Sequence, residues 1–251
     1  MPRVVKTVIV PLGCLLLAVS LASTLHTLAA RPVVIPPVVS AALMTATFLA
    51  IVAELIPTRF LFGREVFEVT LSSAVALPVL ILLGWPFALL LIVFATAASD
   101  LQRGKVWYKV VYNAGNSAFS TWLAGQLYQL LIAGRNFGES LPVSLYAALA
   151  AGLVFTSANT LLVALPIAAV QNLPYRSVLT PYFRSVAAFF SGITSLSVAV
   201  AALWHLHPAA VALLLPALLT TKLAYDNYVR LRDETDNFLH ALADAVDLRD
   251  P

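Results

Sequence analysis

The stretch KVWYKVVYNAGNSAFSTWLAGQLYQLL, residues 105–131, sets Asn113, Asn116 and Ser120 at spacings of three and four. On a helix these three share one face. Each carboxamide brings two N–H donors and an acceptor oxygen, so the chemistry on offer is hydrogen bonding rather than proton transfer. Gly115 and Gly125 in the same stretch permit close approach of a neighbouring helix. A second polar patch, Thr156, Ser157, Asn159 and Thr160, and a third, Ser191, Gly192, Thr194, Ser195 and Ser197, repeat the theme further along. Such faces either satisfy one another across helix contacts or line a cavity for a small ligand, and the residue types allow both. Asn113, Asn116, Ser120, Ser157, Asn159 and Thr194 are the ligand-sensing candidates.

Ionisable groups are sparse and sit at the ends of apolar runs. Glu54, Arg59, Arg64, Glu65 and Glu68 form a carboxylate–arginine cluster of the kind expected at a membrane interface, where each charge finds a partner. Asp100 lies at a similar margin beside Arg103 and Lys105. A proton or cation path would place a carboxylate in mid-membrane, and the sequence has none there. His26, His205 and His207 fall at span ends without a nearby carboxylate, and Cys14 is the single cysteine, which excludes a disulfide framework. There is no Ser/His or paired-Asp constellation, no glycine-rich phosphate loop and no metal-ligand spacing. The expectation is a chain without catalytic residues, metal or cofactor.

The elements that must position these residues are membrane helices. Of 251 residues 61% are hydrophobic and 11% charged, against roughly 25% charged in soluble domains, and mean hydropathy is +0.91. The expected fold is an all-α polytopic bundle with eight spans of about 20 residues: 7–30, 36–56, 66–84, 86–100, 110–134, 141–171, 181–205 and 208–226. Leu83-Gly84-Trp85-Pro86 predicts a tight helical hairpin or a re-entrant pair between the third and fourth. The first apolar run continues to Ala30 without a small-residue cleavage site, so it reads as an uncleaved helix rather than a signal peptide. Pro78, Pro166 and Pro216 fall inside spans and are expected to kink them. Trp85, Trp107, Trp122 and Trp204 mostly mark span ends as interfacial anchors.

Loop charges give the orientation. With the N-terminus in the cytoplasm, thirteen of the fifteen Lys and Arg residues fall inside and only Arg31 and Arg135 outside. An even number of spans with both termini cytoplasmic follows. The net charge of +3 then reflects basic loops facing anionic lipid and implies no nucleic-acid partner.

From Lys222 the chain changes character: charges appear every few residues, while Tyr228, Leu231, Phe238, Leu242 and Ala245 keep a heptad-like apolar stripe, with Thr235 in the missing position. This division gives a membrane bundle, 1–226, and a cytoplasmic helix, 227–251. So short a stripe is not a stable helix alone, so it pairs with a second copy or packs on a following domain.

The terminal run FLHALADAVDLRDP resembles the first helix of HD-GYP domains, the cyclic di-GMP phosphodiesterase relatives of the HD metal-dependent phosphohydrolases, through Leu239, Ala243, Asp247, Arg249, Asp250 and Pro251. The family's metal-binding His and Asp residues and its Gly-Tyr-Pro loop are not in this sequence, so no catalytic residue carries over. The preceding region is more loosely similar to the multi-span sensor modules that precede such domains in bacteria, on Lys105-Val106-Trp107-Tyr108-Lys109 followed by Val111-Tyr112-Asn113-Ala114. The resemblance implies an input module in a bacterial cytoplasmic membrane, homodimeric through its last helix, relaying a small-ligand or membrane signal to an HD-type output domain. The alternative expectation is a small-solute transporter or substrate-capture subunit whose polar faces form the binding cavity.

Overall fold

A computed structural model describes residues 5–30, 43–50, 58–62, 65–69, 72–207 and 210–211, together with scattered positions of a helix between 220 and 242. The chain divides into two units, Met1–His205 and Leu206–Pro251.

In the first unit a short π-helical turn, Val5–Ile9, leads into α1 (Val10–Ala30). Residues 43–50 are helical (α2). An antiparallel hairpin of β1 (Thr58–Phe62) and β2 (Glu65–Val69) follows, in a register that sets Arg59 opposite Glu68 and Phe62 opposite Glu65. Five helices complete the unit: α3 (Ser72–Leu83), α4 (Trp85–Gln102), α5 (Trp107–Ile132), α6 (Leu141–Gln171) and α7 (Tyr175–Leu206), the last residue of which belongs to the second unit.

Helices therefore dominate, as the hydropathy requires, and the expected ranges of α4, α5 and α6 agree with the observed ones to within about three residues. The expected third span is different. Residues 65–69 are strand, and α3 has only 12 residues, about 18 Å of helix and short of a bilayer core of about 30 Å. Aromatic and β-branched residues in TRFLF and EVFEV favour pairing over helix there. α7 begins at Tyr175, six residues before the expected start and ahead of Pro181. Most of the expected second span and nearly all of the eighth lie outside the described residues.

Local stops follow from residue type. α3 and α4 are separated by Gly84 alone, at φ 101°, a backbone conformation that L side chains rarely adopt, and Pro86 in the first turn of α4 needs no amide partner. α6 ends on Asn172 in the left-handed region, φ 56°, whose amide closes onto the Ala168 carbonyl. Both α3 and α6 continue through a proline, Pro78 and Pro166.

α5 is the central helix, packed by α1, α4 and α6. Its approach to α1 is backbone on backbone: a Cβ at Gly115 would collide with the Gly13 carbonyl oxygen. Gly125 likewise leaves room for the Trp85 side chain, and Gly152 of α6 for Thr194 of α7. Leu80, Leu89 and Ile92 are among the largest fully enclosed side chains of the core, whereas Leu15, Leu25, Phe94, Tyr146 and Leu153 stand exposed. Among the described residues three helical stretches are long and apolar enough to cross a bilayer, Thr7–Ala30, Trp85–Gln102 and Leu141–Gln171, which fits a helical membrane protein with apolar side chains turned outward.

Candidate functional site

Four of the six sequence-predicted polar residues, Asn113, Asn116, Ser120 and Asn159, fall into two clusters along α5. At its N-terminal end Asn113 reaches α4 rather than its neighbours on α5. Its Nδ2 donates to Asp100 Oδ2 at 2.6 Å, and Lys105 Nζ lies 2.6 Å from Asp100 Oδ1. Each carboxylate oxygen thus has its own donor. The Asp100 side chain is 4% exposed and that of Lys105 32%, so a nearly enclosed carboxylate is neutralised by an ammonium that still touches solvent. The α4–α5 turn builds this geometry: α4 ends two residues beyond Asp100, Gly104 takes φ 66°, and the Lys105 amide closes onto the Asp100 carbonyl at 3.0 Å. A buried carboxylate without such partners would cost several kcal/mol.

One turn further on, Asn116 Nδ2 donates to Asn159 Oδ1 of α6 at 2.5 Å, and Ser120 Oγ to Asn116 Oδ1 at 3.3 Å. Asn116 and Ser120 are buried. Beside them the Thr160 hydroxyl is enclosed without a hydrogen-bond partner. Thr194 packs against Gly152, about two turns of α6 before Asn159, and is buried. Ser157 does not join the group: it is exposed, on the α6 face that also turns out Leu153 and Leu161. Asn113, Asn116, Ser120 and Asn159 therefore tie α5 to both α4 and α6, Thr194 faces α6 from α7, and Ser157 points away.

A third feature follows from Pro166. A proline lacks an amide hydrogen, so the carbonyl four residues earlier loses its helical donor. That carbonyl belongs to Leu162, and it accepts the Tyr112 hydroxyl at 2.6 Å. The neighbouring Leu161 carbonyl accepts the Tyr175 hydroxyl at 2.9 Å. Tyr112 from α5 and Tyr175 from α7 thus both hold α6 where its own ladder is interrupted. Sequence pattern does not bring out these tyrosines; the signal available was an intramembrane proline whose freed carbonyl requires a donor.

Of the interfacial cluster, Glu54 and Arg64 lie outside the described residues, while the backbone register brings Arg59 and Glu68 opposite each other. In the second unit Leu231, Phe238 and Leu242 of the apolar stripe are 60%, 64% and 52% exposed, beside an Arg230–Glu234 pair at 3.5 Å; Tyr228 and Ala245 lie outside the described residues. No group of three or more His, Cys, Asp or Glu able to hold a metal occurs among the described residues.

Chemically, the buried layer can hold helices in register and can exchange one hydrogen-bond arrangement for another. Comparison with protein-family models, with curated proteins and with solved structures finds no match for this chain.

Proposed function

We propose that the chain is the membrane-embedded input module of a bacterial signalling protein, with an even number of membrane crossings, α3 and α4 forming either a spanning or a re-entrant hairpin, both termini in the cytoplasm and a homodimer contact along its last helix. A ligand or membrane state shifts the packing of α4, α5 and α6 across the Asn113–Asp100 and Asn116–Asn159 contacts. The shift passes to the terminal helix and changes its pairing, the two-state element that transmission between sites requires. The resemblance of FLHALADAVDLRDP to the HD-GYP start makes an HD-type phosphohydrolase acting on cyclic di-GMP the output.

The observation that carries this reading is the uncovered stripe of Leu231, Phe238 and Leu242 on a helix otherwise rich in charge. A transporter has no need of such a surface; a signalling helix pairs through it.

Two experiments test it. Sequencing the reading frame past the Pro251 codon is expected to run into an HD motif, and a stop codon there removes the proposed output domain. In Cys14→Ser protein, single cysteines at Leu231, Phe238 or Leu242 are expected to cross-link two copies in membranes, and a cysteine at the equally accessible, off-stripe Leu239 is not. Equal cross-linking at all four positions, or none at any, overturns the paired helix. In the full-length gene product, Asn113→Ala/Asn116→Ala/Asn159→Ala should alter cyclic di-GMP turnover while insertion persists, and unchanged turnover removes these residues from the relay.

A further inference from the structure

A cleft of about 350 Å³ opens at the end of the bundle opposite the Asp100 cluster, where the α3–α4 junction, the α5–α6 turn and the end of α7 meet. Its size lies at the lower bound of small-molecule sites. Leu80, Ile132 and Phe137 give it apolar walls. Phe137 is itself fixed edge-on against the His205 ring, with centroids 5.6 Å apart. Gly138, at φ 95°, brings the turn so close that a Cβ there would strike the His205 imidazole.

Among the polar residues of the lining Tyr128 and Asn136 have hydrogen-bond partners, whereas Gln129 and His205 stand exposed without one among the described residues. Two further groups, one enclosed and one charged, are left over. Trp85 lines it, is only 2% exposed, and its indole N–H has no acceptor. A buried donor left unpaired costs about 1–3 kcal/mol; the N–H itself is enclosed in the wall, so an acceptor recovers that energy by displacing the side chains that cover it. Arg135 also lines it, stands exposed, and makes no ion pair among the described residues. The carboxylate of that turn, Glu139, already accepts the Asn136 amide at 2.6 Å. The polar features therefore run from a cation at the mouth to a bare N–H donor on the enclosed side, with apolar walls between.

We infer that this cleft binds a small organic carboxylate with a compact apolar body and a second acceptor oxygen, Arg135 taking the carboxylate and the Trp85 indole N–H the second oxygen. A guanidinium matches a carboxylate with two parallel hydrogen bonds. In the orientation proposed above, this end faces away from the cytoplasm, so a solute reaches it without crossing the bilayer. The site stands independently of the relay and of any output domain.

The test uses the full chain in phosphatidylcholine nanodiscs, titrated calorimetrically with 4-acetylbenzoate, which has the ketone acceptor, and with benzoate, which lacks it. Saturable binding is expected for both, with 4-acetylbenzoate the tighter by about tenfold, the worth of one recovered hydrogen bond. Arg135→Gln, a change at an exposed position, should weaken both probes by about tenfold. Trp85→Phe should abolish the preference for the ketone while leaving benzoate binding in place. The inference is overturned by an absence of saturable binding in the millimolar range, by equal affinity for both probes, or by indifference to Arg135→Gln.

Discussion

At the end of the bundle that holds the α4–α5 turn, both carboxylate oxygens of Asp100 have donors; at the end that holds the α5–α6 turn, the Trp85 N–H has no acceptor and Arg135 stands exposed. Both ends are built on α5 and both combine a charge with an enclosed polar group. The difference lies in whether the partners come from the chain. A closed network fixes the relative positions of helices, because each member loses a buried partner if a neighbour moves. An open one leaves an unmet requirement that a solute can fill.

Removing the Asp100 carboxylate strikes the closed end hardest. Asp100→Ala strands the Asn113 amide and the Lys105 ammonium, and is expected to cost about 3 kcal/mol, the lower range for breaking a buried pair. Lys105→Ala should cost about 1 kcal/mol, because a side chain one-third exposed is partly compensated by water. Denaturant titration in mixed micelles, followed by helical circular dichroism, measures both. Equal costs would mean that the Asp100 site is wetter than its 4% exposure states.

The glycine contacts give the next largest effect and distinguish the two ends. Gly115→Ala drives a Cβ into the Gly13 carbonyl, a backbone atom that no rotamer change can move aside, and should cost about 2 kcal/mol. Gly125→Ala meets the Trp85 side chain instead. It is expected to move the indole and shift tryptophan emission, whereas Gly115→Ala leaves emission unchanged. If both variants alter emission alike, the ends are not mechanically separate.

Much of the scaffold was legible from hydropathy and punctuation alone. Gly84-Trp85-Pro86 placed the α3–α4 junction, and the apolar run from Leu141 to Gln171 gave α6 its limits. The hairpin was not legible by hydropathy, because TRFLF and EVFEV are as apolar as a helix end, although two short aromatic and β-branched runs on either side of Gly63-Arg64 carry a strand signature. Among site residues, the spacing of Asn113, Asn116 and Ser120 correctly placed them on one helix. Spacing cannot say which neighbour each side chain meets, and so the Asn113–Asp100 contact was hidden, as was the outward turn of Ser157. The cleft was beyond reach for the same reason: Trp85, Arg135 and His205 come from three distant parts of the chain and converge only in the fold.

The smallest expected effect concerns the carbonyl that Pro166 leaves free. Tyr112→Phe removes the hydroxyl that donates to Leu162 and should cost about 1 kcal/mol, the usual worth of one hydrogen bond between membrane helices. In a Pro166→Ala background the new amide at position 166 can take the Leu162 carbonyl, and Tyr112→Phe should then cost almost nothing. The coupling energy from this four-member cycle isolates the bond from any general effect of losing a hydroxyl. A cost that is the same in both backgrounds would show that Tyr112 stabilises α5 by packing alone. A coupling of about 1 kcal/mol would make α6 a helix whose interrupted turn is held from outside by α5, so that movement of α5 reaches α6 through a bond as well as through contact.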